Sequence, residues 1–279
     1  MTIKIVTDSC SDITQDEAKK LGITVVPAYL HFGNEVYRDG VDIDPDQFYE
    51  KLANSSVHPC TAAPSPGEFA RVYEDVAKET NEIVSIHVTR KHSAMYDSAL
   101  VGKSIANEKG VEIQVIDSRG VTMWQGLVVI AAAKAARAGR SLQEVVYEAQ
   151  KAISQLHALA LLDTLRYAVK GGRISNTIFA IESKLNVKPL ITLVNGEIRP
   201  AGVARNRSRG IHRLQELIEK TDLDDIAIVH STTAEDAQML ADFTRSLYSN
   251  KTPRIDRLGP ALGVHAGPGA LAVIVTGTK

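Results

Sequence analysis

Met1-Thr2-Ile3-Lys4-Ile5-Val6-Thr7-Asp8-Ser9 opens with an apolar alternation that reads as a β-strand and ends in three polar side chains. Stretches of similar character recur at 24–29, 82–89 and 112–116, with helical stretches between them. Strands that alternate with helices predict a mostly parallel sheet covered on both faces. In such a sheet the carboxyl ends of the strands face one crevice, where small ligands bind. Hydroxyls gather at those ends: Thr7-Asp8-Ser9, then Arg90-Lys91-His92-Ser93, then Asp117-Ser118.

Helix starts are legible between the strands. Asp44-Pro45-Asp46-Gln47 and Ser65-Pro66-Gly67-Glu68 each offer an N-cap, a proline at N1 and a capping-box partner at N3, and 141–144 and 232–235 repeat the cap. The stretch 126–138 is so rich in Ala, Val, Leu and Ile that it predicts a buried helix, with Gly139 ending it. A helix over 141–156 then leads toward a second lobe. There 187–194, Asn195-Gly196 and 197–203 read as a hairpin with a primed turn. A strand at 226–230, a helix over 234–248 and a final strand pair at 255–258 and 271–276 complete an α+β lobe. The expected division is 1–156 and 157–279.

Composition narrows the function. Lys and Arg number 32 against 33 Asp and Glu, a net charge of −1, so no global positive field draws in nucleic acid or an anionic membrane. The most apolar stretch, 127–136, is interrupted by Lys134 and falls short of the ~20 residues of a membrane span. The amino terminus lacks the pattern of a signal peptide. Two cysteines, Cys10 and Cys60, are too few for a disulfide framework and read as reduced thiols of a soluble cytoplasmic protein.

Ser93 is placed to cap the helix after it, and a hydroxyl beside free backbone N–H groups at a helix start suits a carboxylate or phosphate. An ordinary N-cap accounts for it as well. Thr61, before Pro64-Ser65-Pro66-Gly67-Glu68-Phe69, adds a hydroxyl. Gly263-Val264-His265-Ala266-Gly267-Pro268-Gly269 reads as a glycine-rich turn that brings backbone and an imidazole close to a ligand. Lys170-Gly171-Gly172-Arg173 is a double-glycine turn after which a helix restarts at Ile174-Ser175. Arg199, Arg205, Arg207, Arg209 and Arg213 are the one basic concentration, either a docking face for an acidic surface or a solvated face. No G-x-S-x-G, P-loop or H-E-x-x-H motif occurs. Asp42, Asp44 and Asp46 have calcium-loop spacing, but Pro45, Gln47 and Ala53 break the pattern, and helix capping explains them better. No metal or cofactor is expected.

Taken in order, Thr7-Asp8-Ser9, Thr61 with the following Pro64–Phe69 motif, Ser93-x-x-Tyr96-x-Ser98-Ala99, Asp117-Ser118, Gly171-Gly172-Arg173-Ile174, Lys188-Pro189 and His265-x-Gly267-Pro268-Gly269 resemble the DegV family. Its bacterial members include the FakB-type fatty-acid-binding subunits of fatty acid kinase. The resemblance implies a parallel-sheet α/β N-terminal lobe and an α+β C-terminal lobe with a ligand cleft between them. It implies a long-chain fatty acid whose tail lies in an apolar tunnel and whose carboxylate is held by Thr61, Ser93 and His265, with Ser9, Ala94, Ser118 and Gly267 as further cleft candidates. It implies as partner an ATP-dependent kinase, built partly like dihydroxyacetone kinase, that makes the acyl phosphate and docks on Arg173 and Arg205.

Four positions depart from the family pattern. Ala94-Met95 replaces Gly-Thr in Ser-Gly-Thr-Tyr, Ala266 replaces a threonine, and Trp124 stands where a small glycine is usual, which would shorten or redirect the tunnel. Competing readings are a carrier of another small lipid or carboxylate anion, a hydrolase using Ser93 and His265 with Asp8 or Asp117, and an interaction protein working through the arginines.

Overall fold

The computed structural model describes residues 3–106, 110–174 and 187–278, and they fall into two compact units, one of 1–43 and 61–154, the other of 44–60 and 155–279.

In the first unit β1 (Lys4–Asp8), β2 (Ile23–Val26), β6 (Glu82–His87) and β7 (Glu112–Asp117) form a wholly parallel sheet in the order β2-β1-β6-β7. Ile5 to Asp8 and Ile83 to His87 are all buried, the near-continuous burial of a parallel sheet covered on both faces. The helix Met123–Arg137 buries Leu127, Val128, Val129 and Ile130 in succession, and Gly139 turns left-handed (φ 74°) just past its end. Asp44 and Ser65 both form complete capping boxes. The stretch 24–29, read as one strand, divides at Pro27. Beyond the proline, β3 (Tyr29–Phe32) joins β4 (Glu35–Arg38) and β5 (Cys60–Ala62) in a separate small sheet.

The second unit holds a six-stranded sheet in the order β10-β9-β8-β13-β11-β12, made of β8 (Leu156–Leu161), β9 (Lys188–Val194), β10 (Glu197–Ala204), β11 (Asp222–His230), β12 (Arg254–Arg257) and β13 (Leu271–Thr278). Only β11 and β12 run parallel; the other neighbours are antiparallel. Asn195 and Gly196 both take positive φ (51° and 81°), the primed turn expected of the hairpin. The helices Arg207–Glu219 and Ala234–Leu247 bury Leu214, Ile218 and Leu240 with Leu161, Ile226 and Val273 of the sheet.

Several expectations change here. The last two strands do not pair: β13 lies between β8 and β11, and β12 is an edge. Thr232 does not cap the helix Ala234–Leu247, because its hydroxyl accepts from Gly269 N at 3.0 Å. Segment 44–60, placed by its position in the first lobe, groups with the second unit. Phe48 and Tyr49 close on Gly263 so tightly that a methyl there would lie 2.5 Å from Phe48 Cε1, and Tyr49 Oη donates to Leu258 O at 3.3 Å. The helix restart at Ile174-Ser175 runs into 175–186, outside the described residues.

Candidate functional site

The strand-end residues of the first unit divide into those that hold the fold and those left toward solvent. Asp8 caps the short turn Ser9–Ser11 and uses both carboxylate oxygens. Oδ1 accepts from Cys10 N (3.0 Å), and Oδ2 accepts from Val88 N (3.0 Å) and His87 Nδ1 (2.9 Å). His87 Nε2 is 2.7 Å from Ser85 Oγ, which is 2.9 Å from Tyr73 Oη, and all four side chains are buried. Burial pushes the Tyr73 phenol up, so it remains a hydrogen-bond donor. Ser85, His87 and Asp8 have the bonding order of nucleophile, base and orienter. At 0% exposure no substrate reaches them, and the chain of bonds ties the helix Pro66–Val76 to β6 and β1.

Two of the proposed cleft serines bond to backbone of their own unit. Ser9 Oγ accepts from Ala28 N at 3.0 Å. Ser118, fully buried, accepts from Gly120 N at 3.2 Å and donates to Gly120 O at 3.4 Å. Trp124 closes that turn: its indole N–H donates to Ser118 O at 3.1 Å, and a methyl on Gly120 would lie 1.9 Å from its Cδ1. Burial, with the Asp8 carboxylate next in weight, raises the Cys10 thiol well above its ordinary value and keeps it protonated, whereas Cys60 is exposed.

Ser93 stands differently. It is half-buried at the start of the helix Met95–Ala106, and its Oγ accepts from Met95 N at 3.3 Å, leaving its O–H to donate. The loop before it is held by Val88 N on Asp8, by Thr89 N on Gly120 O (2.9 Å), and by Arg90, which stacks on Tyr96 (5.2 Å). Ala94 beside it is exposed, and Thr61 is half-buried on β5.

His265 lies not within a glycine turn but in the last turn of the helix Pro260–Ala266, with Gly267 (φ 72°) and Gly269 (φ 81°) leading away. Its imidazole covers Gly171, where a methyl would lie 2.1 Å from Nδ1. Gly171 has φ −77°, open to any residue, so the glycine answers to the close approach of the ring alone.

The arginines differ in their surroundings. Arg199 pairs with Glu197 (2.7 Å) and Arg213 with Glu216 (3.4 Å). Arg207 is partly buried between Asp236 (2.6 Å) and Asp163 (3.1 Å), a role its sequence neighbourhood does not signal. Arg173 is half-buried, with Nη1 donating to Gly171 O at 2.5 Å, and Arg205 is exposed. Of the two orienters named in the hydrolase reading, Asp8 is engaged by His87, and Asp117 Oδ1 accepts from Arg119 N at 2.8 Å. No helix among the described residues is long and apolar enough to cross a membrane.

Comparison with known proteins gives a consistent result. The model of a family described as "Uncharacterised protein, DegV family" matches residues 2–277. A DegV domain-containing protein of Caldanaerobacter subterraneus subsp. tengcongensis is 34% identical over 275 residues, 97% of each chain. Among solved structures, a fatty-acid-binding DegV family protein from Thermus thermophilus superposes with a TM-score of 0.89 at 28% identity, covering 99% of this chain and 100% of the other. DegV of Bacillus subtilis, described as a fatty acid binding protein, gives 0.90 at 27% identity over the whole of both chains.

Proposed function

This chain belongs to the DegV family, and from that premise we propose that it is a carrier that binds a long-chain fatty acid and presents the carboxylate to a partner kinase, which phosphorylates it to the acyl phosphate. The observation that carries the reading is the end-to-end likeness to two fatty-acid-binding structures. The local chemistry supports it. Thr61 and Ser93 bring hydroxyls and His265 an imidazole, donors that replace water around a carboxylate. Each buried methylene of the tail adds roughly 0.8 kcal/mol. Reaction with ATP belongs to the kinase, and Arg205, exposed, and Arg173 are the residues proposed to meet it. A bacterial cytoplasm is the proposed setting, in keeping with the free thiols.

Titration with palmitate tests the head-group assignment. Ser93→Ala is expected to weaken binding by about 10- to 100-fold, the loss of one hydroxyl bond to a charged group, at a stability cost of about 1 kcal/mol because the Met95 N–H loses its acceptor. Unchanged affinity in Ser93→Ala and in Thr61→Val together would remove both hydroxyls from the site. Mixed with a fatty acid kinase and ATP, the loaded protein is expected to yield acyl phosphate, and alone none.

A further inference from the structure

Three contacts between 163–171 and 265–269 share one register. His265 stands over Gly171, a methyl on Gly267 would lie 2.2 Å from Tyr167 Cδ2, and a methyl on Gly269 would lie 2.2 Å from Asp163 Oδ2. Steps of four along one segment meet steps of two along the other, in opposite directions, and at each step a glycine admits a side chain. A shift by one step would put a side chain where no space exists.

One side chain closes the end of this register. Arg207 Nη1 donates both to Gly269 O (2.8 Å) and to Asp163 Oδ1 (3.1 Å), and its Nε donates to Asp236 Oδ2 (2.6 Å). Lys188 Nζ adds a second cation 3.2 Å from Asp163 Oδ1. The planar fork of arginine reaches a carbonyl and two carboxylates at once, which a lysine ammonium on a flexible stem cannot reproduce.

We propose that Arg207 is a positioning residue for His265: by tying Gly269 to Asp163 it fixes the register in which the imidazole stands over Gly171. The ligand-binding consequence rests on the carrier reading above; the positional claim does not. Arg207→Lys retains the charge and loses the fork. It weakens palmitate binding about fivefold in the otherwise unchanged chain, and less than about twofold when His265 is already alanine, because the two residues act as one. Equal losses in both backgrounds, or no loss in either, would overturn the proposal. The Cε1 proton resonance of His265 in the ligand-free protein gives a second readout. It moves in Arg207→Lys and in Asp163→Asn, and an unmoved resonance in both overturns the proposal. If the unsubstituted protein takes up no palmitate while the resonance moves, the carrier reading fails and the positioning role stands.

Discussion

Asp8→Ala is expected to lower the unfolding free energy of the first unit by about 3 to 5 kcal/mol, since a buried donor that loses its acceptor costs about 1 to 3 kcal/mol and several are affected together. Cys10 N, Val88 N and His87 Nδ1 all lose their partner, and the chain through Ser85 to Tyr73 loses its anchor. The site residue most affected is Ser93, whose loop starts from the Val88 N–H held by Asp8. Urea unfolding followed by fluorescence isolates this unit, because Trp124 is the only tryptophan of the chain and lies within it. A loss below about 1 kcal/mol would show that the buried chain of bonds is not what secures β1 to β6.

Gly171→Ala is expected to weaken fatty-acid binding by about 10- to 100-fold, the worth of one hydrogen bond to a charged group, while the fold stays intact. At φ −77° alanine meets no backbone strain and narrows the unfolded ensemble, which offsets the cost of moving the ring, so the net change in stability is small. What the methyl displaces is the imidazole, whose Nδ1 would be 2.1 Å away. His265→Ala is expected to lose a similar factor, and the double variant no more than either alone, because both remove one interaction. Calorimetric titration with palmitate checks the series. Full affinity in Gly171→Ala would mean that the ring position is not what the carboxylate needs.

Much of the fold is legible where local chemistry and tertiary structure agree. Paired capping boxes at Asp44 and Ser65, the primed Asn195-Gly196 turn and the all-round apolar helix Met123–Arg137 are each written in a few adjacent residues. The strand Leu156–Leu161 is not, because Leu-His-Ala-Leu-Ala-Leu is made of good helix formers and continues a helix; only its place between β9 and β13 makes it a strand. The helix around His265 is hidden by Gly263, a poor helix former kept because Phe48 and Tyr49, over 200 positions earlier, leave no room for a Cβ. The same long-range contacts draw 44–60 into the second unit, which chain order conceals. In the site, Ser93 is readable as a helix-start hydroxyl. Asp8 and Arg207 are not: their partners at 87–88, 163, 236 and 269 have no local signature.

The carrier reading is tested most directly by native mass spectrometry of the protein after incubation with palmitate, followed by solvent extraction of whatever is bound. The expected spectrum shows a mass excess of one fatty acid per chain, released intact and reduced in occupancy by His265→Ala. A chain that stays at the mass of the bare polypeptide, or that keeps a different small anion in the presence of excess palmitate, would contradict it.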